Sequence, residues 1–240
     1  NIPLSTSFKA LRFLTLSPGF NFDDRWYFEK LDWNYTDSTR TFKSRKITEF
    51  NHVYNYSLGV GLTTRIYGTY VAKNKNKSIR AIRHVINPSV SYSFQPDFSD
   101  PKFDYFQRFK TTDGAGNVTD VLKSRHEGYV YGTVSPGKSS ALSMGLNNNV
   151  EMKVRNAKDT VDRKISLFNT LSIGTSYNFL ADSFKLSNLG LSANTNILND
   201  KINLNFGATL DPYEYRQIIT DYGNPETKED PIFSEHRISR

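Results

Sequence analysis

Apolar and polar residues alternate between Phe50 and Tyr70 over a much longer stretch than an ordinary strand covers. The even positions of this stretch are Phe50, His52, Tyr54, Tyr56, Leu58, Val60, Leu62, Thr64, Ile66, Gly68 and Tyr70. The odd positions are Asn51, Val53, Asn55, Ser57, Gly59, Gly61, Thr63, Arg65, Tyr67 and Thr69. Because strand side chains point to opposite faces with a period of two, this pattern predicts one strand with an oily face and a small, polar face. Soluble strands commonly end after about 5–6 residues, so we interpret this strand as the wall of a membrane barrel around a wet lumen.

The same alternation recurs along the chain and predicts further antiparallel strands. The predicted strands cover residues 4–16, 20–35, 48–71, 79–95, 125–134, 140–155, 164–180, 185–198 and 201–215. Tight turns are expected at Ser17-Pro18-Gly19, Ser135-Pro136-Gly137 and Asn199-Asp200. The predicted fold class is all-β: a transmembrane antiparallel β-barrel of the outer-membrane type. Residues 1–240 form part of one such barrel domain, which is incomplete here.

One long polar segment, residues 97–124, interrupts the series of predicted strands. Outer-membrane barrels have short periplasmic turns and longer external loops, so we predict that this segment is extracellular. Counting hairpins from there places the long segment 217–234 on the periplasmic side, which breaks the alternation of short and long connections. Two explanations stay open: an unusual inner loop or an unrecognised strand.

The two faces of the predicted strands carry different candidate residues. We expect the apolar face to contact lipid, and its candidates are Leu58, Val60, Leu62, Ile66, Val90 and Leu146. We expect the polar face to line the lumen, and its candidates are Arg65, Arg83, Lys153, Arg155, Asn147 and Asn149. Aromatic residues collect at membrane–water interfaces, and the candidates for that position are Trp26, Trp33, Tyr54, Tyr56 and Tyr92.

Composition alone would suit a soluble protein, since 37% of the residues are hydrophobic and the mean hydropathy is -0.56. A barrel wall carries its apolar residues at alternate positions, however, so its average hydropathy stays low. No run of the chain approaches the roughly 18–20 consecutive apolar residues of a transmembrane helix. The main alternative from the pattern is a soluble β-sandwich or β-solenoid, whose strands are shorter and whose polar faces are more highly charged.

The net charge of +7 raises the question of an anionic partner. The basic residues do not cluster in one helix or patch, which argues against nucleic acid. The charge suits anionic lipid headgroups or an anionic substrate. The chain has no cysteine, so disulfides, thiolate zinc sites and cysteine nucleophiles are excluded. The histidines have no metal-ligand spacing with one another, and we predict no metal, no cofactor and no enzymatic activity; they are His52, His84, His126 and His236.

Several stretches resemble one known family, and they occur in the same order as in that family. The longest is Arg83–Ser99. The others are Arg25–Phe28, Arg65–Gly68, Leu146–Arg155, Ser176–Phe179 with Ala181–Ser183, and Leu204–Phe206 leading to Asp211–Tyr213. Together they resemble the barrel of LptD, the outer-membrane protein that inserts lipopolysaccharide, in its Bacteroidota form.

The resemblance implies a function that alternation alone does not. LptD-like barrels of the Gram-negative outer membrane conduct lipopolysaccharide through a lumen and release it through a lateral seam into the outer leaflet. The implied partners are lipopolysaccharide, an LptE-like plug lipoprotein, a periplasmic LptA-like bridge protein and outer-membrane lipids. The fold implied is a large closed barrel, of which the predicted strands are only a part. The cysteines of proteobacterial members are absent, so disulfide-gated assembly is not implied for this chain.

Two alternatives stay open at this point. The chain could belong to another outer-membrane barrel, such as a porin or a plugged transporter. It could also belong to an outer-membrane hydrolase, which would need a serine and a histidine that meet in space.

Overall fold

The computed structural model describes residues 1–73, 78–113, 116–155, 161–197, 201–221 and 232–238. Nearly all of the regular structure is antiparallel β, which confirms the predicted fold class. The strands are β1 Ile2–Ser5, β2 Phe8–Ala10, β3 Leu14–Thr36, β4 Thr41–Thr64, β5 Ile66–Val71, β6 Ile79–Gln95, β7 Phe106–Thr112, β8 Val118–Ser124, β9 Ser139–Val154, β10 Arg163–Asn178, β11 Leu189–Ile197, β12 Ile202–Leu210, β13 Glu214–Asp221 and β14 Ile232–Ile238. One short 3-10 helix covers Pro101–Phe103.

Most of these strands form one sheet with the order β1-β3-β4-β6-β9-β10-β11-β12, to which β2 adds on β3 and β5 adds on β6. Two separate hairpins pair β7 with β8 and β13 with β14. The sheet is not closed, so β1 and β12 are its two ends. This open order fits a part of a larger barrel.

None of the helices in the described residues has the length and apolar character needed to cross a membrane.

The chain divides into two compact units. Unit 1 comprises Asn1–Phe8, Ser17–Val60 and Ser93–Ser140, and unit 2 comprises Lys9–Leu16, Gly61–Tyr92 and Ala141–Arg240. Every apolar side chain that is buried among the described residues belongs to unit 1. Among the described residues, unit 1 therefore has a buried apolar core, whereas unit 2 has none.

The core of unit 1 lies between β3, β4 and the segment 97–138, which we call the cap segment. Phe98 is fully buried at 0% exposure, and it packs with Tyr27, Val53, Tyr105 and Val134. The partly buried Tyr56, Phe103, Phe106 and Tyr129 pack against this cluster. The long segment is thus a packed element of unit 1, not a bare polar loop.

Hydrogen bonds hold the cap segment to strands β3 and β4 of unit 1. The backbone N–H of Leu31 donates to the Arg125 carbonyl at 2.7 Å, and the indole N–H of Trp33 donates to the Ser124 carbonyl at 2.8 Å. The Tyr105 hydroxyl accepts a bond from the backbone N–H of Tyr54 at 2.9 Å. Such bonds satisfy backbone groups that β3 and β4 would otherwise leave unpaired.

In unit 2, the strands β9 to β12 form a ladder with two unlike faces. Ile173 is paired with Leu146 and with Leu191, and Leu191 is paired with Ala208, so these four side chains form an apolar row. The residues next to these four in the sequence form a second row. Ser172 is paired with Asn147 and with Ser192, and Ser192 is paired with Gly207. Because neighbouring residues point to opposite faces, this second, polar row lies on the other face.

One predicted strand is wrong. Residues 125–128 form a turn and residues 129–134 contain no strand, because this stretch follows the β7–β8 hairpin and packs into the unit 1 core through His126 and Val134. Part of the segment 217–234 belongs to β13 and β14, which are paired with each other. The external position of 97–124 stays a prediction.

The turn predicted at Ser17-Pro18-Gly19 is also wrong, since these residues lie inside β3. Pro18 has no N–H to donate, but its carbonyl accepts a bond from the Thr6 N–H at 3.3 Å. The reversal occurs earlier, at Leu11 and Arg12, which have φ values of 49° and 64°. Two successive positive φ values suit a tight hairpin turn, although glycine or asparagine normally occupies such positions.

The other two predicted turns have different outcomes. Ser135-Pro136-Gly137 lies in the connection before β9, where Gly137 has a φ of 84° that glycine adopts readily. Asn199-Asp200 lies outside the described residues. The hairpin around it is nevertheless present, because Ile197 is paired with Ile202.

Candidate functional site: a basic groove on the polar face of unit 2

Three strands of unit 2 bring basic side chains to one face of the sheet. Lys153 on β9 is directly opposite Lys164 on β10, and Arg83 on β6 is directly opposite Thr69 on β5. Side chains of directly opposed residues project on the same face. Lys153 lies six positions from Asn147, an even number along the strand, so the alternation puts both on the polar face.

These side chains line a groove of about 510 Å³. Its ionisable lining residues are Arg80, Arg83, Lys153, Lys164, Glu151 and Asp162. Four cations against two carboxylates give the groove a positive balance. A concave site with this balance attracts anionic groups from solution.

Ion pairs occupy both carboxylates of the groove. Lys164 Nζ lies 2.8 Å from Glu151 Oε1, and Arg155 Nε lies 2.7 Å from Asp162 Oδ1. Within the described part of the chain, Arg83 and Lys153 have no carboxylate within 4.0 Å, and the buried Nε of Arg80 has no hydrogen-bond partner. The positive charge that remains is therefore available to an incoming anion.

The structure brings together some of the predicted lumen-lining cations but not all of them. Arg83 and Lys153 line the same groove. Arg155 joins them indirectly through its bond to Asp162. Arg65 lies in the connection between β4 and β5, where its Nε donates to Asn87 Oδ1 at 3.0 Å, and it does not line the groove. Their exposure to a lumen stays a prediction.

Sequence reasoning missed two residues of the groove, Arg80 and Lys164. Both lie near strand ends, where alternation does not fix which face a side chain joins. The register supplies the signal that the sequence lacked, since Lys164 is identified only by its place opposite Lys153.

The two predicted asparagines have different roles in the sheet. The Asn149 amide donates to the carbonyls of Phe168 at 3.2 Å and Asn169 at 2.9 Å. The β9–β10 register shifts on both sides of Phe168, so Asn149 satisfies carbonyls that the irregular ladder leaves unpaired. Asn147 instead accepts a bond from the Ser172 hydroxyl at 2.6 Å on the polar row.

Small residues keep the polar face of the ladder smooth. Gly174 is paired with Gly145 and with Gly190, and Gly190 is paired with Thr209. A Cβ on Gly145 would lie 2.8 Å from the Ser89 hydroxyl oxygen, so a larger residue there would force Ser89 to move. Together with the row from Asn147 to Gly207, these residues line a shallow, open concavity.

None of the predicted lipid-facing side chains is buried within the chain. Leu58, Val60, Ile66 and Val90 are exposed. Leu62 and Leu146 are half-buried, and Leu146 belongs to the apolar row of the ladder. Exposure in the isolated chain is what a lipid-facing residue requires, and the contact with lipid stays a prediction.

The predicted interface aromatics fall into two groups. Trp26 is 63% exposed and meets Phe50 edge-on at 6.2 Å, and Tyr92 meets Phe179 in a similar way at 6.1 Å. The other three contact the cap segment: Trp33 through Ser124, and Tyr54 and Tyr56 through Phe103 and Phe98. Their place at a lipid interface stays a prediction.

The described histidine side chains have three different environments. The His52 ring lies 3.3 Å from an Asp24 oxygen, and the His84 ring lies 3.1 Å from Asn148 Oδ1. Both ring nitrogens of His126 are buried without a hydrogen-bond partner. The side chain of His236 lies outside the described residues.

Comparison with known proteins gives one match. A family model described as LptD protein matches residues 1–213 of the chain. Neither a curated protein nor a solved structure matches it.

Proposed function

The chain belongs to the LptD protein family, and from this premise we propose that it forms part of an outer-membrane translocon wall that conducts lipopolysaccharide and releases it laterally into the outer leaflet. The family serves lipopolysaccharide transport and assembly at the outer membrane, and it is not a family of enzymes. The proposal concerns the path of the lipid along the β9–β12 ladder of unit 2.

The observation that carries the proposal is the apolar row of unit 2. Among the described residues of unit 2, no apolar side chain is buried, and Asn148 is the one buried residue. The four side chains of the apolar row are half-buried and none is buried. A sheet with such a face needs an apolar environment, because apolar area left in water carries a free-energy cost of about 25 cal/mol per Å². The hydrocarbon of a membrane supplies that environment.

The opposite face of the same strands suits the polar part of a glycolipid. The basic groove attracts phosphate groups through Arg83 and Lys153. The small residues of the ladder leave the polar face uncrowded, so a bulky headgroup can move along it without displacing side chains. Acyl chains and headgroup would thus have separate surfaces on the two sides of one wall.

Family membership supports lipopolysaccharide and partners of its transport pathway in general. We propose that the specific partners are an LptE-like lipoprotein that plugs the lumen, a periplasmic LptA-like bridge protein that delivers the lipid, and the surrounding outer-membrane lipids. The open, small-residue polar face offers space for a plug.

The test uses the full-length protein in cells. Depletion of the protein should stop newly made lipopolysaccharide from reaching the cell surface. Photo-crosslinking amino acids at two neighbouring positions, Ser192 on the polar row and Leu191 on the apolar row, then distinguish the two faces. We expect Ser192 to give lipopolysaccharide adducts only while transport is active, and Leu191 to give lipid adducts that persist when transport is blocked upstream.

Normal arrival of lipopolysaccharide after depletion would contradict the proposed function. In that case, uptake of small solutes by vesicles that contain the protein would favour a porin. Adducts at Ser192 that do not depend on transport would contradict conduction along this face while leaving a role in assembly.

A further inference from the structure

A second cavity of unit 2 lies at the other end of β10 from the basic groove. It is a cleft of about 760 Å³ between the connection that follows β10 and the junction of β12 with β13. Its side chains include Tyr177, Asp182, Lys185, Pro212, Tyr213 and Glu214. Nothing in the proposed conduction path uses this cleft.

The separation of the two cavities matches the thickness of a membrane. Lys164 of the groove and Tyr177 of the cleft pair with Lys153 and Leu142, which are 11 positions apart on β9, and this corresponds to about 36 Å of extended strand. A strand tilted by about 45° would then span about 26 Å, close to the apolar band of about 25 Å on an outer-membrane barrel. The groove and the cleft therefore suit opposite membrane–water interfaces.

The aromatic rings of the cleft are fixed by local contacts. The Tyr213 hydroxyl accepts a bond from the backbone N–H of Leu186 at 2.7 Å, and its ring meets Phe184 edge-on at 5.1 Å. Tyr177 is bridged to Leu186 through the backbone and packs against Phe179 at 5.0 Å. Rings held in this way present a rigid surface to a ligand at little cost in conformational entropy.

The cleft borders the apolar face of the sheet. Tyr177 is directly opposite Leu142 in the β9–β10 ladder, and Leu142 and Leu146 share a face because they are four positions apart. A molecule that rests its apolar part on this face would have its polar part beside the cleft.

The charges of the cleft differ from those of the groove. The residues that line the cleft include two carboxylates, Asp182 and Glu214, and one cation, Lys185, so the lining lacks the excess of cations that favours phosphate in the groove. Carboxylates accept hydrogen bonds from hydroxyl groups, and a lysine donates them. Tyrosine rings add apolar area together with a polar edge. Hydroxyl-rich ligands with apolar ring faces, which are saccharides, combine these requirements.

We propose that this cleft binds the saccharide headgroup of a glycolipid whose acyl chains lie against the apolar face of unit 2. The proposal rests on the proposed function, because that function brings a glycolipid of the outer membrane to this wall. The groove would then contact phosphates at one interface and the cleft would contact sugars at the other.

The test measures binding of two probes to the full-length protein in nanodiscs. The first probe is dephosphorylated core oligosaccharide without lipid. The second is lipid A, which has phosphates on an acylated glucosamine disaccharide and lacks the core sugars that the cleft is proposed to bind. Asp182→Asn and the double variant Asp182→Asn/Glu214→Gln keep the side-chain shapes and remove the charges. The matched control is Asp120→Asn, which removes an exposed carboxylate in the β7–β8 hairpin of unit 1.

We expect Asp182→Asn to weaken binding of the oligosaccharide at least fivefold, the double variant to weaken it further, and Asp120→Asn to leave it unchanged. Capture of lipid A should be the same in all four proteins. Unchanged oligosaccharide affinity in the double variant, or no binding to the unaltered protein, would overturn the proposal. A variant that fails to fold would show an altered thermal transition, and Glu214→Gln alone then repeats the measurement.

Nanodiscs with and without lipopolysaccharide separate the two sources of the sugar. Competition of the free oligosaccharide by lipopolysaccharide in the disc assigns the site to membrane glycolipid, whereas binding without competition assigns it to soluble glycan. Failure of the site is distinguishable from failure of the proposed function. If depletion does not affect lipopolysaccharide export but Asp182→Asn still weakens binding, the translocon role fails and the sugar site stands.

Discussion

Units 1 and 2 are built from the same kind of antiparallel strand, but only unit 1 covers its apolar side chains with protein. In unit 1 the cap segment buries Phe98, Val53 and Val134 against β3 and β4. In unit 2 the described residues include no buried apolar side chain, and the four residues of the apolar row from Leu146 to Ala208 are only half-buried. Alternation in a strand thus identifies which residues need an apolar partner, and it does not identify whether protein or lipid is that partner.

The largest effect is expected in the core of unit 1. Phe98→Ala removes a fully buried ring and should destabilise the docked cap segment by about 3–5 kcal/mol. Hydrogen exchange measures the result, because the N–H groups of Leu31 and Tyr54 donate to the cap segment. Their exchange should accelerate strongly. Val130→Ala is the matched control, since Val130 is 95% exposed.

Unchanged exchange at Leu31 and Tyr54 in Phe98→Ala would show that the cap segment does not depend on this core. The strands of unit 2 should keep their protection in either case, because unit 2 contributes no residue to the cluster.

The next effect compares the two faces of unit 2. Leu191→Arg places a charge on the apolar row, which costs about 2–4 kcal/mol near the middle of a bilayer. Ser192→Arg places the same charge on the polar row, where water or counterions can solvate it, so its cost should be much smaller. Denaturant unfolding of the full-length protein in lipid vesicles measures both. Equal costs, or a larger cost at Ser192, would assign lipid to the other face.

The sequence predicts more of the structure of unit 2 than of unit 1. The faces of unit 2 follow from alternation alone, because each residue there has only a ladder neighbour and a solvent. The predicted strands 140–155, 164–180 and 201–215 correspond to β9, β10 and β12 within a few residues. The basic groove follows in part, since the alternation selected Arg83 and Lys153, which line it together, whereas Lys164 and Arg80 required the register.

The cap segment could not be predicted in the same way. Its core joins residues that are far apart in the chain, such as Tyr27 and Val134, and no local period records such a contact. The stretch 125–134 looked like a strand because it is rich in aromatic and β-branched residues. His126, Tyr129 and Val134 pack into the core of unit 1 without forming a strand, as tertiary contact overrides local propensity. The turn at Leu11 and Arg12 was hidden for a different reason, since neither residue type is typical of positive φ.

A third prediction concerns pH and affects unit 1 alone. Burial of His126, together with the nearby Lys30 and Arg125, lowers its pKa from 6.5 to about 4, while Asp104 acts in the opposite direction. When the cap segment is released, the pKa of His126 returns to about 6.5. Between pH 6.5 and 4 the released form therefore binds a proton that the docked form does not bind. Docking is therefore fully favoured above about pH 6.5 and weakens as the pH falls toward 4. Hydrogen exchange of Leu31 across this range measures the change.

His126→Phe is the control for this pH dependence. The ring nitrogens of His126 have no hydrogen-bond partner and its ring stacks on Tyr27 at 4.4 Å, so a phenyl ring can keep the packing. The exchange of Leu31 in this variant should vary less between pH 6.5 and 4 than in the unaltered protein. An unchanged pH profile would assign the effect to other groups, such as the ion pair of Arg125 with Asp104.

The smallest effect is expected at the basic groove and separates stability from binding. Lys153 is directly opposite Lys164, and like charges in that position destabilise a ladder slightly. Lys153→Gln should therefore leave the free energy of unfolding unchanged or raise it by a few tenths of a kcal/mol. The same change removes one cation from the proposed path, which is worth about 0.5 kcal/mol or roughly a twofold loss of lipopolysaccharide adducts at Ser192. Lys43→Gln removes an exposed cation from β4 in unit 1 and should leave those adducts unchanged. If both variants reduce the adducts equally, net charge rather than the groove attracts the lipid, and the distinction between the polar faces of the two units disappears.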